Sequence, residues 1–277
     1  MSNDMKTQQE KIEDIKKLRL IDDVFFEAFA ENKEAVEEIL RVILNDEQLV
    51  VLDVITQSSE RNLYGRSVRL DALVTLGDGR KCNVEVQRSD NDDHARRVRY
   101  NGSMITVKDS NPGDRFEDVV NVIIIYISEF DFLKGGKPIY HVDKIVRETK
   151  ERFEDGFEEV FVNTAVSDGS RISRLMSCFQ RPIVQDDEFP KTSAEFTRLK
   201  TTEGGLRSMC KLMEKYTEEA RAEGRAEGHA EGENEGKIKT LAMLVQDGDL
   251  PVEKAAGRLS VSVEEFKKLA MKFAFML

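Results

Sequence analysis

Apolar side chains recur at helical spacing in two stretches of the first half of the chain. Residues 21–44 combine this spacing with acidic residues in the first turn, which suit the positive end of a helix dipole. We predict one helix there, or two if the helix breaks near Asn32. Residues 92–108 predict another helix, for which Asp92 or Asp93 supplies the N-terminal cap.

Alternating apolar and polar positions predict strands at 50–57, 67–76 and 81–88. A Gly-Asp-Gly sequence at 77–79 supplies the hairpin turn between the second and the third strand. A nearly unbroken β-branched run at 119–128 predicts a strand that is covered on both faces of its sheet. The predicted order is therefore helix, three strands, helix, strand. This order indicates an α/β fold with a mixed central sheet between helices.

The pattern is weaker beyond residue 128. Residues 136–148 and 158–166 indicate further strands or edge pieces, while 172–179 and 193–220 indicate helices. We predict five regions: a polar N-terminal segment (1–17), a core (18–166), a helical extension (167–216), a Glu- and Gly-rich helix or linker (217–236), and a small C-terminal helical unit with a turn at 248–251 (237–277).

Composition is that of a soluble protein with one sizeable core and an appendage, since 40% of the 277 residues are hydrophobic and 34% are charged. The three cysteines, Cys82, Cys178 and Cys210, are far apart and outside any CxxC spacing, which favours neither a disulfide framework nor a zinc site. The polar N-terminus has no signal-peptide pattern, and no window approaches eighteen apolar residues. We therefore expect a cytoplasmic protein with no membrane partner.

The net charge of −11 argues against a protein coated in basic surface. Residues 217–236 hold seven Glu and two Arg, so they contribute −5 and leave −6 for the other 257 residues. Against that background Arg96, Arg97 and Arg99 form a local basic cluster. These three positions span about 300° of a helix, so not all of them can face one site, and ordinary surface charge is the alternative.

Four glycines recur at every fourth position of the tail: Gly224, Gly228, Gly232 and Gly236. On a helix they would form a slowly winding stripe of small residues, on which a second backbone can approach closely. Each helical Gly costs about 1 kcal/mol relative to Ala, which favours a flexible polar linker instead. Both alternatives remain open from the sequence, and both are favoured over direct ligand binding.

Two carboxylates interrupt the predicted hairpin at positions that usually hold apolar or neutral side chains. A three-residue loop at 77–79 sets Asp71 opposite Glu85 on one face, with Gln87 one step further along that face. A two-residue loop would set Asp71 opposite Val86 instead, because a slip of one residue reverses the faces of a strand. The predicted site therefore depends on the length of one turn.

Adjacent carboxylates repel, so one of them has a raised pKa unless a cation lies between them. Oxygen ligands on two strands suit Mg²⁺ or Mn²⁺ better than zinc, which prefers His or Cys. Such an ion can polarise a phosphoryl oxygen and activate a bound water. The alternative is a solvated sheet face on which the two carboxylates only pair with Arg69 or Arg88.

The pattern of Asp71, thirteen residues and then Glu85-x-Gln87 resembles the PD-(D/E)xK phosphodiesterase superfamily. The chain is more closely similar to the bacterial PD-(D/E)xK nuclease family transposases related to the Rpn recombination-promoting nucleases. The resemblance is carried by LIDDVFF (20–26), GRSVRLD (65–71), NVEVQR (83–88), ARRVRYNGSMI (95–105), NPGD (111–114), GGKPIYH (135–141) and the glycine-glutamate tail. It implies a restriction-endonuclease-like αβββαβ core and Mg²⁺-dependent DNA cleavage, with Asp71 and Glu85 as metal ligands.

Gln87 occupies the position at which the superfamily usually has lysine, and glutamine is usual in the transposase-like branch. Asp22 matches an acid of the family at the start of the first helix, where it is either an outer-shell ligand or a plain helix cap. The arginine cluster defined above follows the Glu-x-Gln strand, where it could hold a DNA phosphate.

We therefore expect a metal-dependent DNA endonuclease associated with recombination or a mobile element. The alternative is a catalytically weak DNA-binding or assembly protein of the same fold that oligomerises through its tail. A homo-oligomer is expected in either case. A dimer is favoured, because cutting both strands of a duplex needs two active sites or two visits.

Overall fold

The structure is a computed structural model that describes residues 7–61, 67–90 and 93–275 of the chain. It divides into two units, one up to Met213 and one from Glu214 onward. The helices of the first unit are α1 (Gln8–Lys17), α2 (Asp23–Ala30), α3 (Lys33–Ile43), α4 (His94–Lys108), α5 (Arg171–Gln180) and α6 (Pro190–Thr201). Its strands are β1 (Val51–Arg61), β2 (Ser67–Leu76), β3 (Lys81–Gln87), β4 (Val122–Ser128), β5 (Ile139–Val142) and β6 (Phe157–Asn163).

The six strands form one mixed sheet in the order β1-β2-β3-β4-β6-β5. The first three strands form an antiparallel meander, β3, β4 and β6 run parallel, and β5 pairs antiparallel with β6. Helix α4 makes the crossover from β3 to β4, as a parallel pair requires. The fold is therefore a mixed α/β fold of the restriction-endonuclease-like type, and the predicted order of elements is confirmed.

Each face of the sheet packs against a different set of helices. Alternate side chains of β2, β3 and β4 join the apolar cores of α2, α3, α5 and α6 on one face. The other face packs on α4 through Val98 and Ile105, which contact Leu73, Ile124 and other buried residues. The central strand β4 is buried at every position, which explains its unbroken apolar run.

The predicted helix at 21–44 is broken at Asn32, whose side-chain oxygen accepts the backbone N–H groups of Glu34 and Ala35 and so caps α3. Helix α1 was not predicted, although Thr7 and Glu10 form a capping box at its start. Asp93 caps α4 by accepting the N–H of the residue three positions later, and Asp92 lies outside the described residues.

The chain that enters α2 is held by a buried lysine of α6. The Lys200 ammonium donates to the backbone carbonyls of Lys16, Leu18 and Pro182, at 2.9, 2.5 and 2.6 Å. It also lies over the ring of Phe196, 4.4 Å from the centroid. Burial lowers the pKa of Lys200 to about 8. These contacts fix the segment that leads to the first acidic residues of α2.

The predicted helical stretch 193–220 divides at Thr202, where α6 ends and α7 (Glu203–Gln246) begins. Helix α7 continues through all four repeat glycines, so the flexible-linker alternative for 217–236 is wrong. A Cβ added at any of these glycines would meet no atom within 4 Å. Ion pairs one turn apart, at Glu233–Lys237 and Glu235–Lys239, support the end of this stretch.

The second unit ends in two short helices, α8 (Val252–Arg258) and α9 (Val263–Met271). Helix α7 is terminated by Gly248, which has a left-handed φ of 84° and donates to the carbonyl of Val245. None of the helices in the described part of the chain is both long and apolar enough to cross a membrane.

Two neighbouring glycines of α7 provide a test of how closely α6 and α7 pack. A Cβ at Gly205 would meet the backbone of Arg198 and come within 2.7 Å of the Leu199 Cα, whereas a Cβ at Gly204 would meet nothing within 4 Å. We expect Gly205→Ala to lower the free energy of unfolding by about 1–3 kcal/mol. Gly204→Ala should raise it by about 0.5–1 kcal/mol. Urea unfolding followed by circular dichroism measures both, and a stabilising Gly205→Ala would contradict the close packing.

Candidate active site

The β2–β3 hairpin has the register that a three-residue loop requires. Ala72 lies opposite Val84 and Thr75 lies opposite Lys81, so the numbers of paired residues sum to 156 throughout the ladder. By the same register Asp71 falls opposite Glu85 on one face of the hairpin. The two-residue alternative, which sets Asp71 against Val86, is therefore wrong.

The backbone ladder between these strands stops at Ala72 and Val84, one step before the carboxylates. In a regular continuation the Val86 N–H would bond to the carbonyl of Leu70. It donates instead to Asp71 Oδ2, at 3.0 Å. The opening of the ladder thus fixes the Asp71 carboxylate beside the strand that carries Glu85.

Strand β1 is also irregular at this point. Thr56 and Ser58 pair normally with β2, but Gln57 between them has a left-handed φ of 51°. In the part of the chain that the structure describes, no hydrogen-bond donor reaches its buried Oε1. The register places this residue opposite Asp71. Backbone strain of this kind concentrates at functional sites.

Glu85 is almost fully buried, with 1% of its surface exposed. Its Oε1 accepts a hydrogen bond from Asn83 Nδ2 at 2.7 Å. Its buried Oε2 receives no hydrogen bond from the described residues. The closest charge compensation is Arg97, whose Nη2 lies 3.7 Å from that oxygen. One carboxylate oxygen in the protein interior is therefore left incompletely satisfied.

Both carboxyl groups have pKa values above their ordinary range. Burial raises the pKa of Asp71 well above its usual value, and the negative charges of Glu85 and Asp23 raise it further. Burial also raises the pKa of Glu85, while the side chains of Asn83, Arg97 and Asn101 and the backbone of Asp71 act against this rise. The pair is therefore a place where negative charge is unfavourable unless a cation binds.

Gln87 and Arg97 form the cationic side of the site. Arg97 Nη1 donates to Gln87 Oε1 at 3.2 Å, and the Gln87 amide nitrogen donates to Ser89 Oγ at 2.9 Å and to its carbonyl at 3.0 Å. Gln87 therefore orients a guanidinium that also faces Glu85. This arrangement supplies from α4 the positive charge that a lysine at position 87 would supply from the strand.

Only one member of the arginine cluster faces the carboxylates. That member is Arg97, whose contacts with Gln87 and Glu85 are described above. Arg96 is exposed and pairs with Asp93 at 3.2 Å. Exposed Arg99 acts instead on Glu159, where it opposes the rise in pKa that burial causes. The helical spacing predicted this separation.

The acid of α2 that faces the site is Asp23 rather than Asp22. Asp22 pairs with Arg88 at 2.8 Å and with Arg19 at 3.4 Å, and it makes no side-chain capping bond to α2. Asp22 thus occupies the N-cap position of α2 without a side-chain cap, and its outer-shell role stays a prediction. Asp23 is more exposed, yet its charge raises the pKa of Asp71, and Arg97 acts on it in turn. The sequence has two consecutive acids at this point, and which of them faces Asp71 depends on how α2 is rotated about its axis.

The solvated-face alternative does not describe these carboxylates. Glu85 is buried, and the Arg88 side chain is engaged with Asp22 and, at 3.4 Å, with Glu129. The charges of Glu85, Asp23 and Arg97 are among the main influences on the pKa of Asp71. The carboxylates therefore lie in a partly enclosed site that contains its own cation.

His94, to which the sequence assigned no chemistry, packs beside the site. Its Nδ1 lies 2.7 Å from the Tyr126 hydroxyl and its Nε2 lies 2.9 Å from Asp90 Oδ1. Tyr126 is the parallel neighbour of Glu85 in β4, and the ring of Phe130 covers the imidazole. The contacts tie the start of α4 to the sheet. They therefore help to position Arg97, which lies on that first turn.

The donor set fits a hard divalent cation with few protein ligands. Two carboxylates come together there, and Glu85 Oε2 receives no hydrogen bond from the part of the chain that the structure describes. Among the described residues no group of three or more His, Cys, Asp and Glu converges as a metal site. An ion held by Asp71 and Glu85 would thus keep waters or substrate oxygens as its other ligands, as Mg²⁺ commonly does.

Comparison with known families agrees with this geometry. The family model of the PD-(D/E)XK nuclease family transposases matches residues 20–171, which is more than half of the chain and includes β2, β3 and α4. The chain belongs to this family. Nucleases of the PD-(D/E)XK class generally use divalent metals. A search of the curated proteins and a search of the solved structures each returned no significant match.

The raised pKa of Asp71 makes a prediction about stability in this PD-(D/E)XK protein. Because folding raises that pKa, the native state binds the proton more tightly, and stability falls as pH rises from about 4 towards the native pKa. In EDTA, Asp71→Asn should therefore be more stable than the wild type at pH 7 and lose this advantage near pH 4. Thermal unfolding across pH measures the difference.

Asp78→Asn is the control, because Asp78 in the hairpin turn has a lowered pKa that is held down by Arg80. This variant should lose stability at pH 7 instead of gaining it. If the stability of the wild type and of Asp71→Asn changed with pH in the same way, ionised Asp71 would not destabilise the native state.

Proposed function

We propose that this protein is a metal-dependent endonuclease that hydrolyses phosphodiester bonds of DNA, in association with recombination or a mobile element. The observation that carries the proposal is the Asp71 and Glu85 pair, in which Glu85 is buried, its Oε2 receives no hydrogen bond from the described residues, and the pKa values of both carboxyl groups are raised. A divalent cation would remove the repulsion and complete the coordination of that oxygen. Mg²⁺ is the proposed ion, with Mn²⁺ as an alternative.

Asp71 and Glu85 would hold the ion between β2 and β3. When bound, such an ion polarises a phosphoryl oxygen and lowers the pKa of a coordinated water. Asp71 keeps one oxygen on the Val86 N–H, which fixes the carboxylate and leaves the other oxygen for coordination. We assign Asp23 the outer acidic role that the sequence analysis gave to Asp22, because its charge reaches Asp71.

Arg97 would offset negative charge on the phosphate that undergoes cleavage. It is the member of the arginine cluster that faces the carboxylates, and Gln87 orients it. Gln87 has no group that can take a proton from water, so its role is to position Arg97 and, by hydrogen bonds, water. In a site with lysine at position 87 the cation would come from β3, whereas here it comes from α4.

One observation favours the second candidate, a catalytically weak DNA-binding protein of the same fold. Arg97 already lies 3.7 Å from Glu85, so a positive charge partly compensates the site before any ion binds. A divalent ion would compete with this guanidinium. Affinity for the ion therefore decides between an active nuclease and a weak one.

Cleavage of supercoiled plasmid DNA tests the proposal. Glu85→Gln keeps an acceptor oxygen for Asn83 but removes the charge, so we expect nicking in Mg²⁺ to fall by about 10²-fold or more, with little change in folding. Asp78→Asn, on the same hairpin but outside the site, should cleave like the wild type. Equal cleavage by Glu85→Gln and wild type would exclude Glu85 as a ligand, and a wild type that fails to cleave would favour the weak alternative.

We further propose that the tail forms a homo-oligomer, with a dimer favoured. The glycine stripe of α7 faces open space on which a second helix can pack closely. Repulsion between the glutamates of two tails opposes this pairing, so association should strengthen as salt rises. DNA is the proposed substrate of the assembly, and twofold symmetry would supply one active site for each strand.

Sedimentation of the full chain and of a chain truncated after Tyr216 tests the assembly. The truncated chain should remain folded, because the first unit has its own core, and should associate more weakly at matched concentration. Gly232→Phe should weaken association of the full chain, whereas Asn234→Phe, an exposed residue about 200° further around the helix, should not. Equal masses for full and truncated chains would exclude a role of the tail in assembly.

A further inference from the structure

The second unit contains a small apolar core of its own. The end of α7 meets α8 and α9 around six buried residues: Leu241, Ala242, Ala255, Ala256, Phe266 and Ala270. Partly buried side chains from the connecting segments, such as Leu259 and Val261, pack against this core. Residues 237–275 thus form a three-helix unit with an apolar core of its own.

A short, fixed turn connects α8 to α9. It has four residues, 259–262, and its second residue, Ser260, has a left-handed φ of 56°. The Val261 N–H donates to the carbonyl of Ala256 at 3.2 Å. Ser262 then caps α9 by accepting the Glu265 N–H, also at 3.2 Å. The direction of α9 relative to α8 is therefore defined by the turn.

Two short helices joined by a turn of this length and packed on a third helix are the organisation of a helix-turn-helix. The buried alanines of α8, Ala255 and Ala256, let the neighbouring helices come close. We propose that residues 237–275 are a helix-turn-helix unit that binds duplex DNA, with α9 as the helix that enters the major groove. This site is separate from the carboxylate pair and goes beyond the proposed cleavage of DNA.

The outer face of α9 carries side chains that suit base edges. Phe266 and Ala270 are buried, while Glu264, Lys268 and Met271 share the opposite face at spacings of four and three residues. In the major groove, lysine donates to guanine acceptors, a carboxylate accepts from the cytosine amino group, and an apolar side chain contacts the thymine methyl. The face thus combines the three kinds of contact that distinguish bases.

Helix α8 carries the cations expected at the DNA backbone. Lys254 and Arg258 are exposed and lie one turn apart, on the helix that crosses the phosphates in a helix-turn-helix complex. Residues 252–272 hold five Lys or Arg and three Glu, a net charge of +2, whereas 217–236 carry −5. The positive charge of the tail therefore lies on the two helices that would touch DNA.

These features favour DNA over a protein partner. Among the described residues of α8 and α9, Met271 is the one large apolar side chain that is exposed, with 61% of its surface accessible. The centre of a protein interface is usually more apolar and depleted of charge. A second copy of the unit would also bring like charges together, whereas the phosphates of DNA are complementary to them.

Fluorescence anisotropy with the full chain and a labelled duplex tests the inference. EDTA in the buffer prevents cleavage and keeps the result independent of whether Asp71 and Glu85 hold a metal. Lys268 on the outer face of α9 and Lys272 at the C-cap of that helix are both exposed. We expect Lys268→Ala/Lys272→Ala to weaken binding about 10-fold or more near 0.1 M salt and to reduce the salt slope by about 2. The control Arg221→Ala/Arg225→Ala removes the same charge from an exposed part of α7 and should bind like the wild type.

Circular dichroism and sedimentation should show that all variants keep the fold and the assembly state. Lys268→Glu/Lys272→Glu should reduce binding further than the alanine pair. Unchanged affinity in the lysine variants would overturn the proposal. Equal weakening in the lysine and arginine pairs would also overturn it, because the effect would then be one of net charge and not of α9.

Discussion

The repulsion between two carboxylates governs the organisation of the nuclease-like part of this protein. Asp71 and Glu85 lie side by side on a hairpin, buried enough that their negative forms are unfavourable. The surrounding structure offsets this with a guanidinium, an amide and backbone N–H groups instead of solvent. The sheet register, the break in the β2–β3 ladder and the position of α4 all serve to hold these groups in place. A structure arranged in this way has a low-dielectric site with a fixed preference for positive charge.

Local sequence was sufficient to predict the first four strands because each of them carries its own signal. The β-branched run of β4 and the three-residue loop at 77–79 fixed both the order of elements and the register. The carboxylate pair followed from that register, since parity along a strand determines the face. Helix α1 was missed because its pattern is short and polar, although its Thr7-x-x-Glu10 capping box is visible in the sequence.

Sequence patterns could not predict the contacts between elements that are distant in the chain. Which of Asp22 and Asp23 faces the site depends on how α2 is rotated against the sheet. Lys200 of α6 helps to fix this rotation, because it binds the backbone of the segment that leads into α2. The left-handed backbone of Gln57 in β1 likewise has no local signal. The length of α7 was ambiguous because glycine disfavours a helix while the surrounding residues favour it, and helix propensity alone is a weak guide.

The contact between Gln87 and Arg97 also means that these two positions cannot be changed independently. The cation of the site lies on α4, so a lysine at position 87 would set an ammonium against the guanidinium that now donates to Gln87 at 3.2 Å. Loss of Arg97 would instead remove the guanidinium that lies 3.7 Å from Glu85 Oε2. Each single change would thus leave the site with too much or too little positive charge. The two positions are therefore expected to be epistatic, so that the effect of a double substitution differs from the sum of the single ones.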